Sequence, residues 1–229
     1  LYDYLHEKMY HYHVLQADET PVLVNKDGRS AGSKSFMWVY RTGRMYTDRQ
    51  IVLYEYQKTR NASHPREFLK DFKGICVTDG YQVYHTIENE REDLKISGCW
   101  SHARRRFDEA VKALPKAARN GSRAYLALSM IQAICREEKL LKELPSEERK
   151  LRRQLSVRPL VEAYFTWAKE TIRKVPQKSK TWEGFQYSMN QEKYLKVFLD
   201  DGEVPMDNNA AEQSIRGFCI GKKNWVMID

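Results

Sequence analysis

Three acids in this sequence stand where carboxylates can be brought together for metal-dependent chemistry. Asp18 lies in a β-like stretch. Asp79 closes the apolar run Ile75-Cys76-Val77-Thr78 and is followed by Gly80. Glu212 lies in a helical stretch opened by Asp207. Carboxylates converging from separate elements hold hard divalent cations such as Mg²⁺ or Mn²⁺. A pair of such ions clamps the attacking and leaving oxygens of a phosphodiester. Within the first stretch, period-two alternation puts Val14, Gln16 and Asp18 on one face and Leu15, Ala17 and Glu19 on the other, so either acid is a candidate ligand. On the last, Asn209, Glu212 and Arg216 are three and four residues apart and share a helical face beside an apolar stripe of Ala211, Ile215 and Phe218. A metal-binding acid and a phosphate-reaching arginine on one face suit phosphodiester chemistry.

The elements that must carry these acids follow from the hydrophobic pattern. The opening residues Tyr2, Leu5 and Met9 read as mid-helix, and with Leu1 as the first residue the expectation is a piece of a longer protein. Residues 13–24, 36–40 and 51–56 are rich in β-branched and aromatic residues. The turn Asn25-Lys26-Asp27-Gly28 and the break at Thr42-Gly43 separate them, which predicts an antiparallel meander. His64-Pro65 opens a helix carrying Phe68, Leu69 and Phe72 that Gly74 ends. A strand over 75–78, a short helix over 81–87, a strand over 94–100 and a basic helix over 103–114 come next. Residues 115–180 are rich in Ala, Leu, Glu and Lys at helical spacing, with Pro145, Pro159 and Pro176 dividing them into about three helices. Residues 182–199 predict one or two more helices, and 207–216 a last one capped by Asp207.

Three strands, then helix, strand, helix, strand and helix, is the element order of an RNase H-like core. That fold sets one acid on the first strand, one after the fourth and one on a late helix. The expected organisation is α/β: a core over residues 1–114, an all-α insertion over 115–180, and the last part of the core over 181–229.

Composition narrows the class. The chain has 229 residues, 41% of them hydrophobic, enough for a core. No apolar run approaches a membrane span. Four cysteines without paired spacing fit a reducing compartment rather than a disulfide scaffold. The net charge is +8, and the stretch from Cys99 to Arg153 alone carries 14 Lys/Arg against 7 Asp/Glu. Much of that block reads as solvated helical surface. Arg104, Arg105 and Arg106 are its best phosphate candidates, because cations at the start of a helix oppose the dipole and imply another purpose. Lys222 and Lys223 are further candidates. Cys99-x-x-His102 is half of a zinc motif without a second close-spaced pair, and packing is the better reading. Trp38, Trp100, Trp167, Trp182 and Trp225 read as packing residues, Tyr81 and Tyr84 as core residues near the Asp79 turn, and His11 and His13 as structural.

Four blocks carry a resemblance over nearly the whole chain. They are Ala17-Asp18-Glu19-Thr20-Pro21; Thr78-Asp79-Gly80-Tyr81-Gln82-Val83-Tyr84; Cys99-Trp100-Ser101-His102-Ala103-Arg104-Arg105-Arg106-Phe107; and Asp207 through Arg216 to Gly221-Lys222-Lys223-Asn224-Trp225. The chain resembles the transposases of the insertion-sequence-66 family, bacterial DDE enzymes with an RNase H-like core. The resemblance implies that Asp18, rather than Glu19, joins Asp79 and Glu212 as a catalytic, metal-holding triad, with Mg²⁺ or Mn²⁺ as cofactor. It implies metal-activated water cutting a DNA strand and the freed 3′-hydroxyl attacking target DNA. The partners it implies are element ends, target DNA and further copies of the chain, in the bacterial cytoplasm on the nucleoid. Arg104, Arg105, Arg106, Asn209, Arg216, Lys222 and Lys223 are the expected DNA contacts. Gly217 departs from the family, which commonly has Pro there.

Overall fold

In the computed structural model, which describes residues 1–24, 28–30 and 32–225, the chain divides into two compact units. One comprises Leu1–Ser97 with Asp207–Asp229, the other Gly98–Met206.

The first unit is built on a five-stranded mixed sheet in the order β3-β2-β1-β4-β5. Its strands are β1 (Val14–Leu23), β2 (Lys34–Thr42), β3 (Val52–Gln57), β4 (Gly74–Val77) and β5 (Leu94–Ser97). β1, β2 and β3 form the expected antiparallel meander, and β4 and β5 lie parallel to β1. The short β4 and β5 are almost wholly buried, as parallel strands are. The helices of this unit are α1 (Tyr2–Met9), α2 (Ser63–Phe68), α3 (Gln82–Asn89) and α10 (Asn209–Trp225). Its core includes Leu15, Trp38, Val39, Tyr40, Phe68, Phe72, Val77, Tyr84 and Ile96, all at most 2% exposed.

Several boundaries differ from the sequence reading. α2 ends at Phe68, and Gly74 opens β4 instead of closing the helix. Gly74 sits at φ +148°, and a Cβ there would lie 2.3 Å from the His13 carbonyl oxygen, so the two strands start side by side only with glycine. β5 stops at Ser97, and Trp100 begins the next helix. α10 runs nine residues past Arg216, through Gly217 and Gly221. The stripe it buries is Ala211, Ile215 and Cys219, packed on Val39 and Val52, so Cys219 takes the place expected for Phe218. Asn25, Lys26 and Asp27 of the expected turn, the Trp225 side chain and residues 226–229 lie outside the described residues.

The second unit is helical: α4 (Trp100–Ala113), α5 (Lys116–Arg119), α6 (Arg123–Leu140), α7 (Ser146–Arg152), α8 (Arg158–Thr171) and α9 (Lys180–Leu195). Pro145 precedes α7 and Pro176 follows α8, as expected. Pro159 does not break the chain. It lies in the first turn of α8, directly after the π-helical turn Arg153–Val157. The wider turn makes room for the proline ring and absorbs its missing N–H. Trp100 is fully buried, and its indole N–H donates to the Leu195 carbonyl at 2.8 Å.

The closing basic cluster, expected at the surface, is partly internal. Arg153 is fully buried. Its Nε donates to Glu138 Oε2 at 2.9 Å, and its Nη1 donates to the carbonyls of Phe198 and Asp201, each at 2.6 Å. Arg149 donates to the carbonyls of Leu141, Lys142 and Leu144 in the loop after α6, and of Gly202. Glu138→Ala would strand the Arg153 charge in the interior. We expect it to cost about 3–5 kcal/mol in equilibrium unfolding, far beyond the effect of a surface ion pair.

No helix among the described residues is long and apolar enough to cross a membrane.

Candidate active site

The two faces of β1 separate the acids that alternation alone could not rank. On the face of Gln16, Asp18 and Thr20, the partners come from α10 and the residues before it. Gln16 Nε2 donates to Asn208 Oδ1 at 3.2 Å, and Thr20 Oγ1 accepts from Lys222 Nζ at 3.0 Å. Asp18 lies between these two points, and Glu212 lies between Asn208 and Lys222 on the helix above. The face of Glu19 looks the other way. Glu19 Oε1 accepts from Arg60 Nε at 2.8 Å, and its side chain is 1% exposed.

β4 supplies the third acid. It pairs with β1 in parallel register, with Gln16 opposite Val77. Two residues further stand Asp18, within β1, and Asp79, just past the end of β4; the two strands run about 4.8 Å apart. Asp79 is fixed by its own turn. Its Oδ1 accepts the Tyr81 N–H at 2.9 Å, and Gly80 takes φ +94°. Asp18, Asp79 and Glu212 are each half-buried.

Burial and neighbouring acids act on both carboxyls of β1. Burial pushes the Asp18 carboxyl up to about 7, and the negative charges of Glu19, Asp79 and Glu212 add to the effect, against a hydrogen bond from the Glu19 N–H. Glu19 is also pushed up to about 7, by burial and then by Asp79, even though Arg60 pulls the other way. Burial and neighbouring like charges both disfavour ionisation of Asp18 and Glu19. All-oxygen donor sets of this kind suit Mg²⁺ or Mn²⁺.

α10 is held over β1 and β2 by buried polar contacts. Asn208, fully buried, donates to the Ala17 carbonyl at 2.8 Å. Arg41 Nη1 donates to the Ala210 carbonyl and to Ser214 Oγ, both at 3.2 Å. Tyr54 donates to the Ser214 carbonyl at 2.7 Å, and Arg44 pairs with Asp207 at 3.0 Å. α10 begins at Asn209, so Asp207, expected as its cap, lies one residue before the N-cap position and accepts the Asn209 N–H at 3.1 Å. Asn208→Ala would leave Gln16 and the Ala17 carbonyl without this partner. A loss of about 2 kcal/mol, read by thermal unfolding, is expected, with Glu212 displaced from Asp18.

The family model described as "Transposase IS66 family" matches residues 1–229. The chain belongs to the IS66 transposase family. It is also similar to three proteins of Sinorhizobium fredii (strain NBRC 101917 / NGR234). The first, "Uncharacterized protein y4qI", is 30% identical over 98% of this chain and 42% of its own length. "Uncharacterized protein y4hP" is 28% identical over 76% and 33%, and "Uncharacterized protein y4jD" 25% identical over 77% and 35%. The chain thus spans less than half the length of these relatives.

The cationic candidates of this transposase-family chain divide among several environments. Arg104, Arg105 and Arg106 are exposed, but α4 starts at Trp100, so they occupy its second turn rather than its first and the dipole argument for them falls away. Arg106 lies over the Tyr187 ring at 4.4 Å. Arg216 and Lys223 are exposed on α10, and Asn209 is half-buried at its start. Lys222 is engaged by β1, donating to Thr20 Oγ1 and, at 2.7 Å, to the Pro21 carbonyl. Cys99 is buried just before α4, with His102 in its first turn. The sequence reading missed Arg60, Arg41, Asn208 and Gln16. Only Gln16 carried a signal, as a polar residue in phase with Asp18 on a strand that is otherwise apolar inside.

Proposed function

We propose that this chain is the catalytic core of a DNA transposase, an RNase H-like domain interrupted by the helical unit, in which Asp18, Asp79 and Glu212 act as one metal-holding triad. What supports the reading is the placement of these three acids on β1, in the turn after β4 and on α10, with Asp79 and Glu212 both acting on the Asp18 carboxyl beside burial and Glu19. Divalent Mg²⁺ or Mn²⁺ bound there would activate the attacking oxygen and stabilise the leaving oxygen of an in-line displacement at phosphorus. The chain's own residues supply the geometry. Asp18 sits on β1 and Asp79 in the turn after the adjacent β4, and Glu212 approaches from the helix packed on Val39. Exposed Arg216, one turn beyond Glu212, reaches the DNA backbone near the reacting phosphate. Lys223 and Arg104, Arg105 and Arg106 contribute further backbone contacts, and Asn209 a polar one at the start of α10. Lys222 fastens α10 to β1. DNA ends, target DNA and further copies of the chain are the partners this reading requires.

The test is cleavage and joining of a labelled duplex carrying the element end, with Mg²⁺ or Mn²⁺. A nicked product followed by a joined product is expected, and neither with Asp79→Asn. Cleavage that never yields a joined product would identify a nuclease or resolvase. DNA binding indifferent to metal and to Glu212, with no cleavage, would identify a binding module.

A further inference from the structure

Behind the acids, on the opposite face of β1, a second set of contacts ends at Asp79. Glu19 is internal, and its Oε1 takes both Nε and Nη2 of Arg60. The guanidinium carbon of Arg60 lies 3.7 Å from the centre of the Tyr81 ring, a close cation–π stack. The Tyr81 hydroxyl donates to the Arg60 carbonyl at 2.8 Å, and the Tyr81 N–H donates to Asp79 Oδ1 at 2.9 Å. Arg60 therefore touches Tyr81 twice, through its side chain and its backbone, and Tyr81 holds the carboxylate. The other Glu19 oxygen, Oε2, is buried and has no hydrogen-bond partner among the described residues, so Arg60 is the cation that balances it.

We propose that Arg60 is a positioning residue for the acid site: it neutralises Glu19 behind β1 and, stacked on Tyr81, fixes the turn that aims Asp79. This rests on Asp79 being a metal ligand, as proposed above. Arg60 is 39% exposed and lies outside the triad, so it acts through Tyr81 and Glu19 rather than on the metal or the DNA. A buried ion pair is costly to break and cheap to replace whole. That asymmetry separates balancing from mere packing. If balancing is a role, removing Glu19 as well should restore most of the stability lost with Arg60, though not the stack on Tyr81.

The experiment uses the full chain and its Arg60→Gln, Glu19→Gln, Glu19→Gln/Arg60→Gln and Asp79→Asn variants. Three readouts are taken: amide hydrogen exchange at Tyr81 without metal, Mn²⁺ affinity by calorimetry, and Tm. In Arg60→Gln, Tyr81 exchange should quicken about tenfold, Mn²⁺ affinity should fall about tenfold, the scale seen for groups that orient metal ligands, and Tm should drop. The double variant should recover most of the lost Tm, while Tyr81 exchange and Mn²⁺ affinity stay impaired because the stack is still missing. Unchanged Tyr81 exchange in Arg60→Gln would overturn the proposal, as would a double variant no more stable than Arg60→Gln. Mn²⁺ binding that persists undiminished in Asp79→Asn would instead overturn the metal reading, with the exchange data still reporting on the Arg60–Tyr81 contact.

Discussion

Replacing any one acid of the triad is expected to abolish strand cleavage while leaving the fold intact. Asp18→Asn, Asp79→Asn and Glu212→Gln should each lower the cleavage rate by at least about 10³-fold, because each removes a carboxylate proposed to hold the ions that stabilise the attacking and leaving oxygens. All three acids are half-buried rather than internal, and their amides are nearly isosteric, so unfolding does not explain such a loss. The effects should not add. A site that works as a unit is already disabled by its first missing member, and Asp18→Asn/Glu212→Gln should be hardly slower than either single variant. Glu19→Gln should fall well short of these losses, because Glu19 lies on the other face of β1 with Arg60. A Glu19→Gln loss equal to that of Asp18→Asn would count against the assignment of faces.

The second large effect is on stability against pH. Asp18 rises from an ordinary value of 3.8 to about 7 and Glu19 from 4.5 to about 7. In the metal-free chain the folded state thus binds more protons than the unfolded state between about pH 4 and 7. Stability is then greatest at the acid end of that window and declines as pH rises through 7. The two carboxyls titrate as a coupled pair, and the decline belongs to both. Asp18→Asn removes the charge that must be buried and should stabilise the metal-free chain at pH 8 by about 2 kcal/mol, roughly 5 °C in Tm. At pH 5 the same variant should stabilise by less. Mn²⁺ added at pH 8 should raise the Tm of the wild type and not that of Asp18→Asn. Thermal scans of both proteins at pH 5 and 8, with and without Mn²⁺, read all of this. A wild type that gains stability from pH 5 to 8 without metal would contradict it.

Much of this arrangement was legible in the sequence, and the reasons for the remainder are physical. The meander showed because β1, β2 and β3 alternate over long runs between turn residues. β4 showed because four apolar residues end in Asp79-Gly80. The three acids proposed as ligands stand out because each lies at a place where the element order puts one. The choice between Asp18 and Glu19 did not show, since alternation gives two faces without saying which one α10 covers. That depends on Asn208 reaching Ala17 and Lys222 reaching Thr20, some two hundred residues away along the chain. Trp100 was read as strand because an aromatic after Gly98-Cys99 suits either element, and tertiary packing against Tyr164 and Phe165 decides for helix. Pro159 was read as a breaker because a π turn before it leaves no mark in composition. Arg149 and Arg153 looked like surface charge because only distant carbonyls and Glu138 make them internal. Arg60 had no signal of its own, one arginine among many, until Glu19 and Tyr81 met around it.

The most direct measurement is a crystal structure of the chain grown with Mn²⁺, with the ion located by its anomalous scattering. Manganese should lie among the carboxylate oxygens of Asp18, Asp79 and Glu212, with Glu19 still on Arg60. If two ions bind, they should stand about 4 Å apart. Manganese bound elsewhere, or the three carboxylates separated by more than about 10 Å, too far for such a pair of ions, would contradict the assignment of these acids as one catalytic site.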